Sequence, residues 1–157
     1  MRPELLTMCM APCSEGPALA RRFVAHALTL MGMESEEPEA ALVVSELVGN
    51  ACRFARVRVT VRMEVDEPDA LRFEIEDDGP GQPELTRPTP SDNTGRGLQI
   101  VSSIADRWGT ERTAGGKLVW VELRHASGPP GPVRESVCVA TSGADRATVL
   151  APYTAGD

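Results

Sequence analysis

Leu71-Arg72-Phe73-Glu74-Ile75-Glu76-Asp77-Asp78-Gly79-Pro80-Gly81 is a strand that runs into a glycine turn. A period of two puts Leu71, Phe73, Ile75 and Asp77 on one face and Arg72, Glu74 and Glu76 on the other. An acid therefore falls on the apolar side. Burying a carboxylate is costly unless it is hydrogen-bonded, so Asp77 is expected to hold a structural donor or a ligand. Asp78, one residue on, faces the other way. Gly79 and Gly81 remove Cβ atoms and let a flat ligand approach the main chain. The plainer alternative is a strand-to-turn junction, because Asp-Gly and Pro-Gly are common turn dipeptides.

Two other segments bear on that choice. Upstream, residues 40–55 have the length and apolar density of a buried helix, preceded by Glu36, Glu37 and Glu39, which suit a helix N-terminus. Glu46 and Asn50 are four apart and so share a face one turn apart. They could hydrogen-bond each other or cap a loop. A carboxylate beside a carboxamide could equally orient a nucleophile next to hydrated magnesium, which prefers oxygen ligands. Downstream, residues 93–106 read as a glycine loop opening an amphipathic helix, with Leu98, Val101, Ile104 and Ala105 as its apolar stripe. Helix N-termini bind phosphate through unpaired N–H groups, and Gly95 and Gly97 would let those groups come close. Arg96 between them adds a bidentate phosphate donor, although on most surfaces such an arginine is only solvated.

The rest of the chain supplies a frame. Residues 4–10 are expected to form an edge strand. Ser14 or Glu15 should start a helix through about residue 30, with Leu19, Phe23, Ala27 and Leu30 on its inner face. Residues 56–66 alternate with Val57, Val59, Val61, Met63 and Val65 inward, and pair with residues 71–77 through the Glu67-Pro68-Asp69 turn. Two further strands, residues 107–113 and 117–124, meet at Gly115-Gly116. These elements predict an α+β fold: a two-layer sandwich of a mixed, mostly antiparallel sheet with helices on one face. From residue 127 the chain becomes a Gly/Pro linker and a weakly alternating tail. The domain division is thus 1–126 and 127–157.

Composition narrows the function classes. The 157 residues, 41% apolar and 25% charged, suit one compact domain. A net charge of −7 argues against direct nucleic-acid binding, although Arg53, Arg56, Arg58 and Arg62 cluster locally. No run approaches the roughly 18 apolar residues of a membrane span, and the start lacks a signal-peptide pattern, which makes the expected location cytoplasmic, with no membrane partner. Cys9, Cys13, Cys52 and Cys138 form no Cys-x-x-Cys pair, so reduced structural thiols are expected in place of zinc ligands or disulfides.

In chain order stand a helix with Glu46-x-x-x-Asn50, a strand ending Asp77-x-Gly79-x-Gly81, and Gly95-Arg96-Gly97-Leu98 opening a helix. This set resembles the N, G1 and G2 boxes of the Bergerat-fold ATPase superfamily, which includes gyrase B, heat-shock chaperone ATPases and histidine kinases. Ala20-Arg21-Arg22-Phe23-Val24, Val44-Ser45-Glu46-Leu47-Val48 and Ala105-Asp106-Arg107-Trp108-Gly109 are similar to its anti-sigma-factor serine kinase branch.

The resemblance implies ATP and Mg2+ as cofactors. By it Asp77 would accept from the adenine amine, Glu46 would be the catalytic base or water-positioning acid, and Asn50 the magnesium ligand. Gly79 and Gly81 would form the adenine-side turn, and Gly95, Arg96, Gly97 and Leu98 the phosphate side, with residues 82–94 as a lid. A carboxylate at the amine repels the guanine carbonyl oxygen, and unpaired polar groups can reject an analogue by about 10⁴ to 10⁵.

The resemblance further implies a serine/threonine protein kinase that phosphorylates an antagonist protein and sequesters a sigma factor or similar transcription regulator. Dimers occur among such relatives. A non-catalytic ATP-sensing interaction module and a detached histidine-kinase catalytic domain are the alternatives, the latter without a phosphoacceptor helix here. Three positions depart from the family pattern. Phe54 stands where His is common, Gln82 follows Gly-Pro-Gly, and Leu118 occupies a position often held by a nucleotide-binding Thr.

Overall fold

The computed structural model describes residues 5–66, 70–80, 96–124, 138–141 and 148–150. In chain order these form β1 (Leu5–Met10), α1 (Gly16–Met31), a 3-10 turn (Glu34–Glu36), α2 (Glu37–Phe54), β2 (Val59–Asp66) and β3 (Ala70–Asp77). They continue with α3 (Arg96–Ile104), β4 (Arg107–Thr113), β5 (Gly116–Arg124), β6 (Cys138–Thr141) and β7 (Thr148–Leu150). The strands make one seven-stranded sheet in the order β4-β5-β3-β2-β1-β6-β7. Every pairing is antiparallel except β1 with β6. The fold is therefore α+β, with a mixed sheet and helices on one face.

Alternation in β3 is as strict in space as in sequence, with Leu71, Phe73, Ile75 and Asp77 buried. Register carries that face across the sheet, because Met63 sits opposite Phe73, and Phe73 opposite Val121. Leu6, Met8, Met10, Val59 and Val61 extend it, and α1 and α2 close over it with Val24, Leu28, Val44 and Val48. Each such large side chain taken out of water contributes about 1.5–3 kcal/mol. The outer face is a lattice of ions. Arg72 meets Glu122 at 2.9 Å and Glu74 at 3.1 Å, and its guanidinium lies 4.5 Å over the Trp120 ring. Arg62, one of the clustered arginines, pairs with Glu76 at 2.9 Å.

Three expectations are corrected. β1 is not an edge strand among the described residues, because β6 from the tail segment pairs along its open side. Leu30 is 38% exposed, and Leu28 and Met31 fill the inner face of α1 instead, since the packed positions follow Ala20, Val24, Ala27 and Met31. Val57 is 73% exposed, because β2 starts only at Val59. The Glu67-Pro68-Asp69 turn and the linker at 127–132 lie outside the described residues.

The reason for the late start of β2 is Asp78. Its carboxylate accepts from the N–H groups of Arg56 at 2.8 Å, Val57 at 3.0 Å and Arg58 at 3.2 Å. One side chain at the end of β3 thus fixes the whole bend between α2 and β2. These hydrogen bonds, that of Val57 foremost, hold the Asp78 carboxyl below the usual carboxylate range.

A depressed folded-state pKa means the stabilisation is complete above the unfolded-state value and is lost as pH falls through the folded-state value. Asp78→Asn is expected to lower the melting temperature by a few degrees at neutral pH. The gap from wild type should close as pH falls below about 4. Thermal melts of both proteins across that range check it, and a gap that stays constant in acid would contradict the latch.

Candidate functional site

Helix α2 is the spine of the candidate site. Pro38 at its first turn and acidic Glu37 and Glu39 suit a helix start. Ala40, Val43, Val44, Leu47, Val48 and Ala51 bury one stripe against the sheet and α1. That stripe leaves Glu46 and Asn50, one turn apart and half-buried, to face the beginning of α3.

Gly97 reports the closeness of that approach. A Cβ at Gly97 would sit 2.9 Å from Glu46 Oε2 and 3.5 Å from Asn50 Nδ2. The second residue of α3 is thus buried beside the Glu46 and Asn50 side chains, with little room for a Cβ. A helix N-terminus with its unpaired N–H groups, a carboxylate and a carboxamide converge there. Glu46 and Asn50 offer hard oxygen donors, which fits Mg2+ held by one or two protein ligands with its other positions left to water and phosphate. Among the described residues no group of three or more His, Cys, Asp or Glu side chains could hold a metal by itself.

The last turn of α2 reaches the second half of the site. Asp77 is 4% exposed on the helix-covered face, and its Oδ1 accepts the Gly79 N–H at 2.9 Å. Gly79 is pressed against the main chain of Phe54. A Cβ there would collide with the Phe54 carbonyl oxygen and lie 2.7 Å from its carbonyl carbon. Burial pushes the Asp77 carboxyl up from its ordinary range, against the opposing pull of the Gly79 N–H and Lys117. Glu46 and Phe54 are eight residues apart on α2, about 12 Å along its axis. A nucleoside triphosphate can span that separation.

Lys117, which carries no motif, faces Asp77. It sits directly opposite in the β3–β5 ladder, with Nζ 3.5 Å from Asp77 Oδ1 and 4.9 Å from the Phe54 ring centroid. Leu118, the position of the expected Thr, is opposite Glu76 and on the other face. Counting back in twos from Leu123, Val121 and Val119 puts Lys117 inward, so the signal was in the alternation of β5. Leu98 packs partly buried against the core, and Arg96 is the first residue of α3. Gly81, Gly95 and the expected lid at residues 82–94 lie outside the described residues.

Residues 35–127 match the family of histidine kinase-, DNA gyrase B-, and HSP90-like ATPases. No curated protein matches the chain. Among solved structures, the chain is similar to the histidine kinase domain from the Erythrobacter litoralis EL346 blue-light activated histidine kinase. Identity there is 23% and TM-score 0.48, over 69% of this chain and 60% of that one. It thus spans three fifths of that relative. It is also similar to the mycobacterial sensor histidine kinase MprB, at 17% identity and TM-score 0.48 over 83% of this chain and 100% of that one. A third similarity is to the Acinetobacter baumannii histidine kinase AdeS, at 15% identity and TM-score 0.45 over 81% and 70%.

The two glycines should respond differently to a methyl group. Gly79→Ala meets fixed main chain, and is expected to lower unfolding free energy by about 1–3 kcal/mol. Gly97→Ala meets the end of a flexible glutamate and should cost less. Urea denaturation of both variants checks the order, and equal losses would contradict the packing described.

Proposed function

We propose a function on the premise of family: the chain belongs to the histidine kinase-, DNA gyrase B-, and HSP90-like ATPases, whose domain binds ATP, usually with Mg2+. Within that family we infer a regulatory protein serine/threonine kinase acting in the cytoplasm. It would transfer the γ-phosphate of ATP to a hydroxyl of an antagonist protein and sequester a sigma factor or similar transcription regulator. The observation that carries the chemical part of this reading is the convergence of Glu46 and Asn50 on Gly97. The partner assignment rests on the sequence resemblance to the anti-sigma-factor kinases.

The side chains have distinct tasks in this reading. Asp77, buried and oriented by the Gly79 N–H, accepts from the adenine amine. The start of α3 offers main-chain N–H donors to the phosphates without a Cβ at Gly97 in the way. Asn50 would hold Mg2+ through its carboxamide oxygen, and the ion would neutralise phosphate charge. Glu46, beside that start, orients the incoming hydroxyl and takes its proton. The work is mostly positioning, which suits a site built on the rigid face of a buried helix.

The second reading, a histidine-kinase catalytic domain acting on a separate phosphoacceptor, is supported by the family match as much as the first. It shares every one of these tasks and differs only in the accepting atom. Acid treatment separates them, since a phosphate ester on Ser or Thr survives acid and a phosphoramidate on His does not.

Glu46→Ala is expected to lower phosphotransfer to a cognate protein by at least about 100-fold while ATP affinity stays nearly intact. Radiolabel transfer and calorimetry measure the two. Transfer that persists in the variant would reject Glu46 as the base, and no transfer in wild type would favour the ATP-sensing module.

A further inference from the structure

Lys117 is a cation on an apolar face. Its side chain is 8% exposed, and among the described residues its ammonium meets one carboxylate oxygen and one ring face. The same oxygen, Asp77 Oδ1, also accepts the Gly79 N–H. An ammonium has three donors and accepts nothing. Donor capacity is therefore left over where unfilled hydrogen bonds are costly. The Phe54 ring keeps the charge in place without using a lone pair.

Side by side, Asp77 and Lys117 present an acceptor and a donor. The edge of adenine presents the converse, an exocyclic amine that donates and, next to it, ring atom N1 that accepts. We propose that Lys117 is a second base-reading residue, donating a charged hydrogen bond to adenine N1 while Asp77 accepts from the 6-amino group. This rests on the reading of Asp77 as the adenine contact. In the same pose a 6-oxo purine is mismatched twice, with its carbonyl oxygen against the carboxylate and its N1–H against the ammonium. The pair rejects guanine at two atoms, where the carboxylate alone rejects it at one. It also gives Phe54 a task, that of holding the lysine head beside the acid.

The test needs the full chain, Mg2+, ATP and 1-deaza-ATP, in which N1 is replaced by C–H. Calorimetry on wild type is expected to find ATP bound about 10- to 100-fold more tightly than the analogue, the worth of a hydrogen bond to a charged group. Lys117→Met keeps the apolar stem and removes the donor. It should bring ATP down to the level of 1-deaza-ATP and leave the analogue unchanged. Equal wild-type affinities would overturn the inference, and so would a parallel loss for both ligands in Lys117→Met. Tighter ATP binding by Lys117→Met would overturn it too, because the lysine would then only be standing in the place of the amine. Asp77→Asn separates the two levels of failure. If it weakens ATP while wild type ignores N1, only the lysine inference falls; if it leaves ATP unchanged, the adenine reading of Asp77 falls and the lysine inference with it.

Discussion

A carboxylate facing inward at the end of a central strand is the constraint on which the rest of this molecule turns. Asp77 shares its face with Leu71, Phe73 and Ile75 and is nearly as buried as they are. Such a group must be met by donors, and each donor fixes a different part of the chain. The Gly79 N–H folds the strand end back on itself, and Lys117 ties β3 to β5 at the same level. Burial still raises the acid above its ordinary pKa, so these partners leave part of the cost of desolvation unmet. A ligand donor would meet more of it.

Asp78 complements its neighbour from the opposite side. Alternation sends it away from the core, where it gathers the N–H groups of Arg56, Val57 and Arg58. That bend sets where α2 ends, which brings Phe54 against Gly79, and the helix then carries Asn50 and Glu46 to α3. Two adjacent acids thus define both ends of the site, one by facing inward and the other by holding the helix that carries the polar pair.

Much of this was legible in the residues. The strict period of β3 gave its register and the inward acid, and the Glu46-Asn50 spacing gave a shared face. Both follow from local geometry, which a sequence states directly. Lys117 follows from the same arithmetic in β5, yet cations on strands are usually solvated and the residue carries no motif. The exposure of Val57 depended on a side chain twenty-one residues away, and the partner of β1 on a strand from the tail. Neither is encoded by period or propensity near the residues concerned. Leu30 faces outward although it is apolar, because two apolar rows run along α1 and only the packing partner decides which one is inward.

The parallel pairing of β1 with β6 has a consequence for biosynthesis. β1 leaves the ribosome before the other described strands, but the residues that cover its far edge, Cys138–Thr141, emerge well over a hundred residues later. Throughout that interval the nascent chain can pair β1 with β2 while the other row of N–H and C=O groups stays open to any extended segment nearby. Late closure of a long loop is also the slow part of assembling such a sheet. Among the described strands, β1 is therefore left open along one edge to chaperones and to neighbouring nascent chains until the segment carrying β6 has been made.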